Sequence, residues 1–232
     1  MKTLVLGLLL ALAYQPCAQA LQFQLAPPCG RHASVGEVCS LPILALHPTQ
    51  FTLGMIEVRA RAAQFERKKP AKFAKYMKKH NVPVVIGPDG VFYMTDHHHL
   101  SRALYEDGVR TVNAQVTHDW SNLNRAQFWS RMESTKQVYL YEDGRGPLSP
   151  SELPNNILQL KNDYYRSLAW AVCSQTKAFK KEKVLFFSFY WANFFRARIP
   201  DSLVRNHFEQ AVQLGAQLAR SPAAKGMPGY RG

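Results

Sequence analysis

Between Pro83 and Val112 the chain spells out a run of short elements broken by one polar box, and that run constrains the fold more than any other stretch. Pro83-Val84-Val85-Ile86 reads as a strand, Pro88-Asp89-Gly90 as a tight turn and Val91 to Met94 as a second strand, which predicts a hairpin. A helix over His98 to Glu106 follows and ends at Gly108, a residue type suited to the position just past a helix. Thr111 to Val116 alternates as a strand, with Val112, Ala114 and Val116 on one face.

The polar box is Thr95-Asp96-His97-His98-His99-Leu100, placed where the second strand gives way to the helix. A helix start leaves its first N–H groups unpaired and carries the positive end of the helix dipole, so it attracts anions. Histidines there can add donors, proton shuttles or metal ligands near neutral pH. The combination points to a phosphate-handling site. Successive helical residues project about 100° apart, so at most two of the three rings can share one target. His98 is the first choice, followed by His97 and His99, and the third ring is expected to pack or bond locally. Arg102, one turn beyond His98, is either a phosphate contact or a solvated surface arginine.

The 29 Lys and Arg against 16 Asp and Glu give a formal net charge of +13. That imbalance favours anionic partners such as nucleic acid, nucleotides or phosphorylated small molecules, and selects none of them. Arg59, Arg61, Arg67, Lys68 and Lys69 form a basic stretch that either lines a nucleic-acid path or faces solvent. His118, after the last strand, is a lone histidine of the kind that is usually structural.

Residues 1–20 have the pattern of a signal peptide: Lys2, an apolar stretch from Leu4 to Tyr14, and Ala18-Gln19-Ala20 before the expected cut. The mature chain is therefore expected in the periplasm or outside the cell, with no membrane-spanning segment after cleavage. In an oxidising compartment Cys29 and Cys39 could close a short loop. Cys173 sits among Leu168, Trp170 and Val172 and reads as a buried, inert thiol.

Residues 21–40 read as an irregular lead-in, and Leu41 to Leu46 as a strand. Phe51 to Glu57 leads into a helix running through Arg67, and Pro70 to His80 forms the next. From about 122 the pattern turns helical. Helices are expected over Asn124 to Lys136, Asn155 to Leu160, Tyr164 to Phe179 and Lys183 to Arg198. A further start lies at Ser149-Pro150-Ser151-Glu152, and Asp201 caps a last helix to Arg220. Residues 221–232 read as a loose tail. The aromatics from Phe186 to Phe195 point to several sides of a helix, which favours burial over stacking on bases.

Taken in order, these elements resemble the ParB/sulfiredoxin superfamily, in which a similar strand, hairpin and box open a helix that binds phosphate groups. The resemblance covers Leu41 to His118 and is closest to the family called ParB-like putative nucleases, which carries the same Asp-His-His-His run. It implies an α+β fold: a small mixed sheet with helices over 41–121, then a helical extension over 122–220. The box has neither the Arg-Arg pair of the partition proteins nor the cysteine of the sulfiredoxins, which argues against both of those activities.

The free serine kinase branch is a second relative, with an acidic residue near the start of its first helix. Glu57 is similarly placed. The resemblance implies that Glu57 could deprotonate a water or hydroxyl while Asp96 and His98 serve the leaving group, with His97, His99 and Arg102 on the phosphate. Alternatively, Glu57 is a solvated residue stabilised by the helix dipole. Carboxylate and imidazole together could also hold a divalent metal such as Mg. The expected activity is an exported phosphodiester or nucleotide hydrolase. A nucleotide-dependent small-molecule kinase and a non-catalytic anion binder are the alternatives.

Overall fold

The computed structural model describes residues 23–30 and 33–232, so the expected signal peptide lies outside the described residues. A five-stranded sheet has the order β1-β6-β4-β5-β2, built from β1 (Val38–Pro42), β2 (His47–Pro48), β4 (Val82–Ile86), β5 (Phe92–Met94) and β6 (Thr111–Asp119). β4 and β5 form the expected antiparallel hairpin, and β6 returns parallel to β4 after α3 (His98–Glu106). A parallel pair needs such a crossover, which β5 and α3 supply. Gly108, at φ 87°, closes α3 as the sequence implies.

Alternation sets the two faces of the sheet. Val82, Val84 and Ile86 face the core shared with α1 (Met55–Glu66), α2 (Pro70–Met77) and α3, which bury Phe65, Phe73 and Leu104. Val85 faces the other way, against Phe128 and Met132 of α4 (Arg125–Ser134). That helix starts at a capping box between Asn124 and Gln127, which satisfies two otherwise orphaned amides.

A second core gathers α5 (Tyr164–Ala171), α6 (Phe187–Arg196), α7 (Asp201–Asn206) and α8 (Phe208–Arg220) around Trp191 and Phe195. The two parts are stitched by a small parallel sheet of β3 (Thr52–Leu53) and β7 (Lys161–Asn162). The fold is thus mixed, with a small sheet and, among the described residues, eight α-helices. None of the described helices is long and apolar enough to cross a membrane.

Several expected boundaries move. The first strand begins at Val38, inside the expected lead-in, and Pro42 ends it because proline has no amide to donate. Cys39 on that strand is disulfide-bonded to Cys29, which fastens the lead-in to the sheet edge. Ser149 to Glu152 and Ile157 to Gln159 make single 3-10 turns only. α5 stops at Ala171 and relaxes into a π turn ending at left-handed Lys177. α6 begins at Phe187, four residues after the expected Lys183. The last helix is split at His207, and Pro200 precedes Asp201 as its cap. The expected loose tail packs instead: the Trp191 indole donates to Pro228 O at 2.9 Å, and Lys180 N–H donates to Gly229 O at 2.8 Å.

Candidate functional site

The box histidines diverge as helical geometry requires. His97 precedes α3 in the left-handed region at φ 64°, and His98 and His99 are the first two residues of the helix. For a residue with a Cβ that conformation costs on the order of 1 kcal/mol, although His tolerates it better than most.

His98 points inward and is 4% exposed. Its Nε2 accepts the Thr49 amide N–H at 3.2 Å, and a backbone hydrogen bond to Met94 engages the ring as well. The Thr49 hydroxyl donates to the same Met94 carbonyl at 2.8 Å. Burial, reinforced by the charge of Arg166, holds the imidazole well below its usual range and therefore neutral. His98, the first choice from sequence, is committed to joining the loop after β2 to the end of β5.

His99 turns toward α1. Its Nε2 accepts the Gly54 N–H at 2.9 Å and lies 3.6 Å from Oε2 of Glu57. A nitrogen accepting an amide proton carries none of its own, so in this state the Glu57 contact is not an ion pair. Burial pulls the His99 pKa down to about 4 despite the nearby Glu57 carboxylate. Glu57 itself is 7% exposed, and its Oε1 accepts from Arg61 Nε at 2.9 Å and Nη2 at 2.7 Å. Burial alone would raise its pKa, but the neighbouring His99 and the bonded Arg61 guanidinium bring it below the usual carboxylate range. Glu57 is ionised and held, not solvated.

The start of α1 is fixed by side chains from elsewhere in the fold. The amides of Gly54, Met55 and Ile56 donate in turn to His99 Nε2, Asn162 Oδ1 at 3.1 Å and Ser167 Oγ at 3.2 Å. Gly54 is needed there, since a Cβ would lie 2.8 Å from the Ser167 backbone nitrogen. Arg166, the neighbouring residue, is 4% exposed and donates to Thr52 O at 2.6 Å and Ser188 Oγ at 3.1 Å. Its guanidinium lies 3.8 Å from the Phe189 ring centroid, and burial lowers its pKa to about 10.

The start of α3 differs. Among the described residues no acceptor meets the amides of His98, His99 and Leu100. Beside them the buried Nδ1 of His97 has no hydrogen-bond partner either. The Asn81 backbone favours a proton on the ring, which is consistent with the tautomer protonated at Nε2, and Nδ1 has no partner. Burial lowers the His97 pKa, partly opposed by Asp96. The His97 ring lies 5.9 Å from that of His80, which stacks on Tyr76 at 3.8 Å. Asp96 is exposed, and its Oδ1 accepts the His97 N–H at 2.6 Å.

Arg102 is not brought to this cluster. Its Nε donates to Glu106 at 2.9 Å and its Nη1 to Ile157 O at 3.2 Å, so it secures the 3-10 turn against α3. His118 is set against Trp120, with ring centroids 4.7 Å apart. Among the described residues no group of three or more His, Cys, Asp and Glu side chains could hold a metal ion. Glu57 Oε1 is taken by Arg61 and His99 Nε2 by Gly54, so these donors do not fit a resident divalent cation. Two clefts lie along α4, about 460 Å³, and beside Asp163 and Arg196, about 260 Å³. In the second, Arg196 is already paired with Asp163 and Arg205 with Asp201. A row of unpaired amides beside an unpartnered ring nitrogen lies instead at the start of α3.

Residues 39–197 match the family described as "Putative ParB-like nuclease". The chain belongs to that family. This ParB-like protein is also similar to the crystal structure of protein Atu1540 from Agrobacterium tumefaciens, with a TM-score of 0.77 and 32% identity over 84% of this chain and 98% of that one. A match to C-terminally truncated chromosome-partitioning protein ParB from Caulobacter crescentus, complexed with CTP-gamma-S, covers 78% of this chain and 93% of that one. At 14% identity and a TM-score of 0.27 it is too distant to carry an argument. No curated protein matches the chain.

In this ParB-like protein the site roles of Arg61, His80, Arg166 and Ser167 escape the sequence reading. Arg61 was legible as the i,i+4 partner of Glu57, and His80 faintly, as the end of a basic helix beside Tyr76. Arg166 and Ser167 left no signal, because only the packing of α5 on the start of α1 brings them there.

Proposed function

We propose that this ParB-like protein is an exported phosphohydrolase acting on nucleotide or nucleic-acid phosphate esters at the start of α3. The observation that carries the reading is the row of unpaired amides from His98 to Leu100 beside the unpartnered Nδ1 of His97. Three convergent N–H groups at a helix start suit the non-bridging oxygens of a phosphate. With its pKa lowered, the His97 imidazole is neutral at pH 7, and its unpartnered Nδ1, covered in this state, takes a proton from an attacking water once substrate entry uncovers it and the phosphorus–oxygen bond breaks. Ionised Glu57 fixes the Arg61 guanidinium, the charge that couples to His97, and His99 braces α1 against α3.

The kinase alternative needs Glu57 as a base, a role that the bonded Arg61 weakens by lowering the carboxylate's basicity and occupying its Oε1. Export is supported by the Cys29–Cys39 disulfide, since such bonds persist in oxidising compartments.

The test incubates purified protein with DNA, RNA, mononucleotides and small phosphodiesters, with and without divalent cations. Cleavage by the wild type that is lost in His97→Ala supports the reading. No cleavage of any ester, with phosphate binding still lost in His97→Ala, would replace it with a non-catalytic anion binder. The mass of the exported protein tests processing: a terminus at Leu21 is expected, and an intact Met1 contradicts it.

A further inference from the structure

The basic stretch entering α2 is not absorbed by the box chemistry, and its geometry is ordered. From Arg67 to Pro88 the chain has seven Lys and Arg and no Asp or Glu. Phe73 and Met77 of α2 are buried at 0% and 1% exposure, which spends the apolar face of the helix on the core. At 100° per residue Lys72 and Lys75 fall on the opposite side, Lys79 follows them in the turn just past the helix, and all three are exposed. None of them makes a salt bridge among the described residues. At 1.5 Å per residue the row is about 10 Å long. It ends at His80, whose ring is 5.9 Å from that of His97.

We infer that the outer face of α2 is a polyanion track that feeds a polynucleotide strand to the α3 box, so that the substrate is a polymer and not a free nucleotide. This rests on the phosphate-site reading above and adds the surface that selects the substrate. Successive phosphates of a strand can meet Lys72, Lys75 and Lys79 while a further one reaches the amides beside His97. An anionic bilayer fits less well, because α2 has no apolar side chain left to insert and a flat surface does not follow the row into the box.

Binding of a labelled 20-nucleotide single-stranded DNA is measured against salt for the wild type and for Lys72→Gln/Lys75→Gln/Lys79→Gln. A charge-matched control is Lys136→Gln/Lys183→Gln/Lys225→Gln, at exposed positions elsewhere. Three lost contacts at about 0.7 each make the log–log salt dependence shallower by about 2, with a loss of affinity on the order of tenfold at low salt. The control triple keeps the wild-type slope. Equal slopes for the two triples would overturn the track, and so would loss of binding to phosphatidylglycerol vesicles with DNA binding intact. Cleavage is scored separately: a wild type that cleaves while the α2 triple binds normally sinks the track alone. A wild type that binds through α2 and cleaves nothing sinks only the hydrolase.

Discussion

The Gly54 amide donates to Nε2 of His99 at 2.9 Å, and through this bond the histidine box and the first helix brace each other. The bond needs a neutral imidazole. Protonating His99 would set an N–H against an N–H and break the brace, while bringing a cation 3.6 Å from Glu57 Oε2.

Acid should therefore destabilise the fold in a defined window. The folded pKa of His99, about 4, lies below the unfolded value of 6.5, so the unfolded chain binds more protons between them. Stability is complete above pH 6.5 and falls as the pH drops toward 4, by about 3 kcal/mol if His99 acts alone. His98, lowered in the same direction, adds to the loss. Glu57, whose folded pKa is also lowered, contributes stability above its unfolded value that disappears at still lower pH. Urea unfolding from pH 7.5 to 4 should show this decline, and His99→Gln should flatten it. An unchanged slope in that variant would refute the assignment.

His97 should separate stability from activity. Replacing it with Gly removes the left-handed cost at φ 64° but adds backbone entropy and loses the ring's packing on His80, so stability should change by no more than about 1 kcal/mol. The same change should lower hydrolysis by about 10²- to 10⁴-fold, the usual effect of losing a general base. In the wild type, kcat/KM should rise with pH through a value below 6.5 and level off at neutrality, because the His97 pKa is lowered. A His97→Gly variant with wild-type turnover would remove His97 from the mechanism.

Ser167 should matter more than an internal hydroxyl usually does. Its Oγ accepts the Ile56 N–H at 3.2 Å, so Ser167→Ala orphans a helix-start amide at about 1–2 kcal/mol. Asn162→Ala, at a more exposed amide, should cost about 1 kcal/mol or less. Thermal unfolding followed by circular dichroism measures both, and a Ser167→Ala midpoint equal to wild type would contradict the capping role.

The Cys29–Cys39 bond closes a loop with a sequence separation of 10, for which chain entropy predicts about 2–3 kcal/mol. Cys29→Ser/Cys39→Ser should lower the unfolding midpoint accordingly, and reductant should have the same effect on the wild type only. Reductant-insensitive unfolding of the wild type would show the bridge to be absent or without consequence.

How much was legible depended on whether a residue's role was local. The hairpin, the bounds of α3, Gly108 at its end and the polar box follow from turn chemistry and periodicity within a few residues. The ends of α5 and α6 did not, because packing between helices of the second core sets them. Within the box the sequence could say that three rings diverge, but not which one turns inward. His98 is set by Thr49 and Met94, and Arg102 by the turn at Ile157, partners far from each in sequence.

By itself, then, the sequence determined that a polar, histidine-rich box opens a helix between hairpin and strand, since amide orphaning at a helix start and the 100° spacing are properties of the local chain. Only the tertiary structure decided that His98 is structural, that His99 is a neutral brace and that His97 is left with a free nitrogen. The reason is that a histidine's proton and pKa are fixed by which acceptor, donor or charge lies a few ångströms away. For these rings those partners come from the loop after β2, the start of α1 and the end of α2.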